Sequence, residues 1–231
     1  MTAVRAQSEP GTRLAGAALT GGAVVLLVAN IAFPRAADPW DVPAVLTMMV
    51  EAEARRQASF VALTLGLWVV TAGLIGLAGW LQGAAAVWER LARHLAVVGI
   101  ALFTTAGALG LAATGAAVAW SAAGGETGGS EYAVAVALNR ADDFVWYLSI
   151  VAYWGALGLY GVAMLRSGVV PRWLAAGGLV LGSVTALLIG LPLAAGAEVP
   201  ALLVGFGALG GLTTLWVLLL GISTIRATTS P

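Results

Sequence analysis

Six long apolar runs divide the chain, at 14–33, 60–81, 95–120, 144–165, 173–196 and 200–225, and the 11 basic and 11 acidic side chains all fall between them. A bilayer hydrocarbon core of about 30 Å is crossed by roughly 20 apolar residues in a helix. Each run meets that length. Lipid offers backbone polar groups no water to bond, so a spanning run of this kind has to be helical. The pattern predicts an all-α, polytopic membrane protein: one transmembrane domain over residues 1–231, built as a bundle of six helices.

Two of the connections carry helical signals of their own. Asp41 is placed to cap a helix with Pro43 in its first turn. Val42, Val45, Leu46 and Met49 then recur at i, i+3, i+4 and i+7, an amphipathic stripe. Glu51 and Arg55 form an i, i+4 pair in the favoured order. Further on, a Gly/Ser-rich loop at 124–130 precedes Val134, Leu138, Ala141 and Val145, which follow helical spacing into the fourth run. Two short amphipathic helices on one surface are expected. The remaining connections are short. Pro171 before Trp173 suits a helix start, Ala197-Glu198-Val199 makes a tight turn, and Pro192 is a candidate kink inside the fifth run.

Composition agrees. The chain is 60% hydrophobic and 10% charged, with a mean hydropathy of +0.95, against about 25% charge in soluble domains. Net charge is zero, so no nucleic-acid partner is expected. Cysteine is absent, which excludes disulfides, thiolate metal sites and thiol catalysis. His94 is the single histidine, which excludes a bis-histidine haem within one chain. The basic residues are all Arg, and with the heavy Ala, Gly and Val usage this points to a bacterial source. The first run follows Arg5 and Arg13, yet it exceeds the 7–15 residues of a signal h-region, so an uncleaved helix is expected.

Charge also orients the bundle. If the amino terminus is cytoplasmic, the inner segments hold Arg5, Arg13, Arg90, Arg93, Arg166, Arg172 and Arg226, with Glu9 and Glu89. The outer segments hold Arg35, Arg55, Arg56 and Arg140, with nine acidic residues. Seven basic residues against four place both termini inside and leave the outer face acidic. A multi-pass protein of the bacterial cytoplasmic membrane is the reading. Trp80, Trp88, Trp120, Trp146 and Trp173 stand near run ends, where indoles favour the interface.

Candidate chemistry is sparse. The fourth run is the most polar. At about 100° per residue, Trp146, Ser149, Tyr153 and Tyr160 share one face, either a self-satisfied inward face or a pocket for a lipophilic ligand. Gly155, Gly158 and Gly161, with Gly178 and Gly182 on the fifth run and Gly207 and Gly211 on the sixth, are candidate helix-packing positions. Gly207-x-x-x-Gly211 is also a candidate dimer face. Asp142 and Asp143 open the fourth run, where carboxylates complement the helix dipole. With Glu51 and Glu53 they are candidate ligands for a hard divalent cation. No ionisable group lies inside a run, which argues against ion coupling. No phosphate loop, zinc helix or nucleophile elbow is present. No catalytic residue or cofactor is assigned.

Three stretches resemble a known family. They are Thr12-Arg13-Leu14-Ala15-Gly16, the helix-forming connection before the second run, and Leu165-Arg166-Ser167-Gly168-Val169-Val170-Pro171-Arg172-Trp173-Leu174 followed by Gly177-Gly178. Together they resemble the six-helix bacterial membrane proteins known as domain of unknown function 4386. That resemblance implies a six-helix bundle and carries over no functional residue. The expected function is a non-enzymatic membrane protein acting through helix packing with partners or lipids, with the bilayer, a second copy or another membrane protein as partner. A facilitator or channel for a neutral or lipophilic solute ranks second and a membrane enzyme third.

Overall fold

The computed structural model describes residues 9–229; Arg5, counted above in the charge balance, lies outside them. The chain forms α1 (Glu9–Ala32), α2 (Val42–Glu51), α3 (Glu53–Gly76), α4 (Ala86–Ala122), α5 (Ser130–Ser167), α6 (Arg172–Val184), α7 (Leu191–Ala194) and α8 (Pro200–Thr229). No strand occurs among the described residues. Six helical stretches are long and apolar enough to cross a membrane, with α6 and α7 joined into one of them. The chain is an all-α polytopic membrane protein.

The helices overrun the apolar runs that announced them. α4 and α5 have 37 and 38 residues, well beyond the roughly 20 that a bilayer core requires. α4 gains most of its excess, Ala86 to His94, at one end of the bundle, whereas the excess of α5 rises at the opposite end, which carries α2. There the Asp41 carboxylate accepts from the Ala44 N–H at 3.1 Å, with Pro43 in the first turn. The stripe Val45, Leu46 and Met49 packs on Ala113, Ala117, Trp120 and Ala135. The second amphipathic segment is not a separate helix. Nothing between Ser130 and Ser167 breaks the backbone, so it forms the first turns of α5. Glu51 and Arg55 are divided by the break at Ala52, where φ is −114°, and so do not share a helix.

Small residues set the helix spacing. α5 is the central element, flanked by α4 and by α6, while α1 lies between α3 and α8. A Cβ on Gly161 would fall on the Leu179 backbone, and one on Gly182 on the Gly158 backbone. A Cβ on Gly158 would stand 3.0 Å from Ser183 Oγ, on Gly155 3.3 Å from Leu95 Cδ2, and on Gly178 2.5 Å from the Trp216 ring. Trp216 can lie there because its indole N–H donates to the Leu174 carbonyl at 2.7 Å. The packing role expected of Gly207 and Gly211 needs correction, since nothing lies within 4 Å of a Cβ added at either position. Both border open space described below.

Two breaks follow local chemistry. α5 ends on Gly168 at φ +66°, a left-handed cap that glycine adopts without strain. Ahead of Pro192 the α6 backbone widens into a π-helical turn, Thr185–Gly190. A proline has no N–H to continue the ladder and crowds the preceding turn, so the helix absorbs it by widening.

The glycine contacts give a direct stability test. Gly182→Val is expected to lower stability by about 1–3 kcal/mol or more, because the added methyls must push two backbones apart. Gly211→Val is expected to change it by less than about 0.5 kcal/mol. Thermal unfolding of the two variants in detergent checks the contrast.

Candidate functional site

The most heavily built polar site sits where the α2 end meets the apolar bundle. Arg56 stands in the first turn of α3 and is only 5% exposed. Its Nη2 lies 3.7 Å from Asp142 Oδ2 on α5, and its Nε–H donates to Thr114 Oγ1 on α4 at 3.1 Å. The guanidinium also lies over the rings of Phe33 and Phe60, at 5.4 and 4.9 Å from their centroids. Those rings meet edge to face at 5.1 Å. Four elements therefore converge on one cation. Gly110 makes room for it: a Cβ there would stand 2.6 Å from Phe60 and 2.8 Å from Asp142 Oδ2.

Charge is absent from the apolar runs, as expected, yet it enters the helical bundle. Arg56, Asp142 and Glu89 are all buried, because the helices begin before the apolar runs do and carry polar residues on their inward stripes. The dipole reading of Asp142 and Asp143 needs correction. α5 starts at Ser130, so both carboxylates stand about three turns inside the helix, beyond the reach of its terminal dipole.

Directly beside the ion pair lies a cavity of about 730 Å³, within the range of small-molecule sites. It opens because α1 and α8 diverge. At the end carrying the termini they touch closely: a Cβ on Gly221 would meet Thr20 Oγ1 at 2.5 Å and the Gly16 carbonyl at 2.8 Å. Toward the other end, Leu26, Asn30 and Phe33 of α1 and its following loop, and Val204, Gly207 and Gly211 of α8, border the cavity from separate sides. Val204 is 74% exposed and lines it too, so the space reaches the lateral surface of the bundle. Its deep wall is apolar, with Leu67, Val70, Phe103, Leu157 and Val217. Its upper part carries Asn30, Arg56, Asn139, Asp142 and Asp143.

The expected ligand face of α5 divides on this boundary. Trp146 and Tyr153 line the cavity. Trp146 meets Phe206 edge to face at 5.1 Å instead of lying at an interface. Tyr153 Oη is 3.3 Å from the Thr71 hydroxyl. Ser149 does not line the cavity; it is buried and donates to the Trp146 carbonyl at 2.6 Å. Tyr160 lies deeper, 0% exposed, and its hydroxyl has no hydrogen-bond partner among the described residues. The same holds for Glu89 Oε1, although Arg93 Nε stands 3.6 Å from it. Trp120 is likewise drawn inward, donating to the Glu126 carbonyl at 3.0 Å, whereas Trp173 is exposed.

The four candidate cation ligands are each engaged elsewhere or stand alone. Asp142 faces Arg56, and Asp143 accepts from Asn139 Nδ2 at 3.3 Å. Glu53 accepts from Gln57 at 3.0 Å, and Glu51 ends α2. Among the described residues no three His, Asp or Glu side chains gather as a metal site.

Arg56 and Asn139, absent from the sequence candidates, and the inward placing of Asp142 all carried a readable signal. Arg56 stands at helical spacing with Phe60, Leu63, Leu67, Val70 and Leu74. Asn139 and Asp142 continue backward the face that holds Trp146, Ser149, Tyr153 and Tyr160. Reading each stripe past the end of its apolar run would have placed both charges inside. No family model, no curated protein and no solved structure matches the chain.

Two predictions follow from the buried groups. Arg56→Met or Asp142→Leu alone leaves an uncompensated buried charge and is expected to cost about 3–5 kcal/mol; the double variant is expected to cost less than either single one. A double-mutant cycle on unfolding in detergent measures this, and additive losses would contradict it. Tyr160→Phe removes a hydroxyl with no partner and is expected to be neutral or stabilising. Tyr153→Phe loses its Thr71 bond and is expected to cost about 0.5–1.5 kcal/mol.

Proposed function

We propose that this is a non-enzymatic multi-pass protein of the bacterial cytoplasmic membrane that binds a lipophilic molecule in the cavity between α1, α5 and α8. The carrying observation is the cavity itself: about 730 Å³, apolar in depth, polar at one end and reaching the lateral surface through Val204. A lipophile dissolved in the bilayer can enter sideways, bury its apolar part against Leu67, Val70 and Val217, and keep a polar group near Asn30 and Asn139. With both termini cytoplasmic, as the arginine distribution favours, the α2 end faces outward and the cavity draws on the outer leaflet. The Gly207-x-x-x-Gly211 stretch borders this cavity, which favours a ligand role for it over a dimer role.

The test uses a neutral lipophilic fluorophore, N-phenyl-1-naphthylamine, with the detergent-purified full chain. Saturable binding, with energy transfer from Trp146 and Trp154, is expected. Gly211→Phe combined with Gly207→Leu places new side chains at cavity-lining positions where the structure has room. That variant is expected to lose binding by tenfold or more while its melting temperature holds. Equal binding by the filled and unfilled proteins would sink the reading.

A second reading, a facilitator for a lipophilic solute, has its own support. α1 and α8 are closed at one end and apart at the other, the shape of a one-sided vestibule, and Tyr153, bonded to Thr71, is part of its lining. Movement of a fluorescent lipid across liposomes containing the protein is its readout. A rate equal to that of empty liposomes would exclude it.

A further inference from the structure

We infer that the cavity selects lipophilic cations, with Asp143 as the charge-recognising group and the rings of Trp146, Tyr147, Trp154 and Phe206 as the contact surface. This rests on the ligand-binding reading above and names its substrate class.

The first support is the charge balance of the lining. Four charged side chains border the cavity: Arg35, Arg56, Asp142 and Asp143. Arg56 and Asp142 satisfy each other at 3.7 Å. Arg35 is exposed at the mouth and its Nη2 donates to the Asn30 carbonyl at 3.0 Å, so solvent screens it. Asp143 is different. It receives one amide hydrogen bond, from Asn139 at 3.3 Å, and makes no ion pair among the described residues. The neighbouring Arg140 pairs with Glu198 at 3.5 Å and does not line the cavity. The charge left facing the cavity is negative.

The second support is the aromatic surface beside it. Asp143 stands one helical turn ahead of Trp146 and Tyr147 on α5. Trp146 and Tyr147 have ring centroids 5.5 Å apart. Phe206 lies 5.1 Å from Trp146 and 5.2 Å from Trp154, edge to face in both cases. All four rings line the cavity. Aromatic faces attract cations through their quadrupole, and more strongly where water is excluded. The rings contribute this without the desolvation cost that a buried carboxylate pair would carry. A bulky cation with spread charge and an apolar shell, such as a quaternary ammonium or phosphonium, fits a carboxylate at the rim and rings below it. An anionic amphiphile would meet Asp143 with no free interior cation to offset it, since Arg56 is already neutralised.

The test compares two ions of the same shape and opposite charge, tetraphenylphosphonium and tetraphenylborate, by equilibrium dialysis against the full chain in detergent. Specific binding is taken as the part lost in the cavity-filled variant, Gly211→Phe with Gly207→Leu. Tetraphenylphosphonium is expected to bind at least about tenfold more tightly than tetraphenylborate, a ratio set by desolvated cation–ring attraction and the carboxylate together. Asp143→Asn is expected to weaken the phosphonium about tenfold and to leave N-phenyl-1-naphthylamine unchanged, while Asp143→Glu restores most of the loss. Phe206→Leu provides an independent variant, also expected to weaken the phosphonium. If the borate binds as tightly, or Asp143→Asn changes nothing, cation selection is overturned while the neutral probe still upholds a lipophile site. If no probe binds in a cavity-dependent way, both readings fall together.

Discussion

A guanidinium buried between helices must be answered wherever it stands, and much of this bundle is arranged around the answer given to Arg56. Removing a charge from water costs several kcal/mol even after relaxation. The compensation comes from four directions: a carboxylate from α5, a hydroxyl from α4, and aromatic faces from α3 and from the end of α1. Each demands a backbone at a particular height. Gly110 is the cost on α4, where any side chain would strike Phe60 or Asp142. The ion pair thereby pins the start of α3 to the α4–α5 hairpin, a few turns from its loop. It separates the small α2 core above from the main core below.

Below that point the structure is ruled by close approach. Lipid-facing helices gain little hydrophobic driving force from associating, so dispersion between tightly packed backbones must hold them. Gly158, Gly161 and Gly182 bring α5 and α6 together, and Gly16 and Gly221 do the same for α1 and α8. Where that glycine pairing stops, as it does along α8 toward Gly207 and Gly211, the helices part and the cavity begins. The open space follows from the sequence of small residues along α8, whose packing face changes partway up.

The six spans, the Asp41 cap and the Val45–Leu46–Met49 stripe were legible because each is a local matter of length, capping or period. The site was not, for one reason that applies twice. Arg56 and Asp142 stand outside the apolar runs, and hydropathy alone does not show that they turn inward. Yet helix extent depends on packing as well as hydropathy, and α5 continues unbroken from Ser130 through its polar first turns. The inward positions of those turns are polar, which lowers hydropathy while preserving period. The Tyr153 and Trp146 face was readable. Its division into a cavity-lining part and a buried part was not, since Ser149 and Tyr160 share its angle and differ only in what α3, α4 and α8 bring against them. The divergence of α1 and α8 had no local signal at all.

The closure of α1 on α8 also says something about how the protein is made. α8 is made after α1 and all the helices between them, so the Gly16–Gly221 contact cannot form until α8 has left the ribosome. Until then the small-residue face of α1 has only α3 to pack against. The contact that closes α1 on α8 is thus assembled after the joints among the helices between them. A chain truncated within α8 retains the Arg56 site but has no seal beneath it.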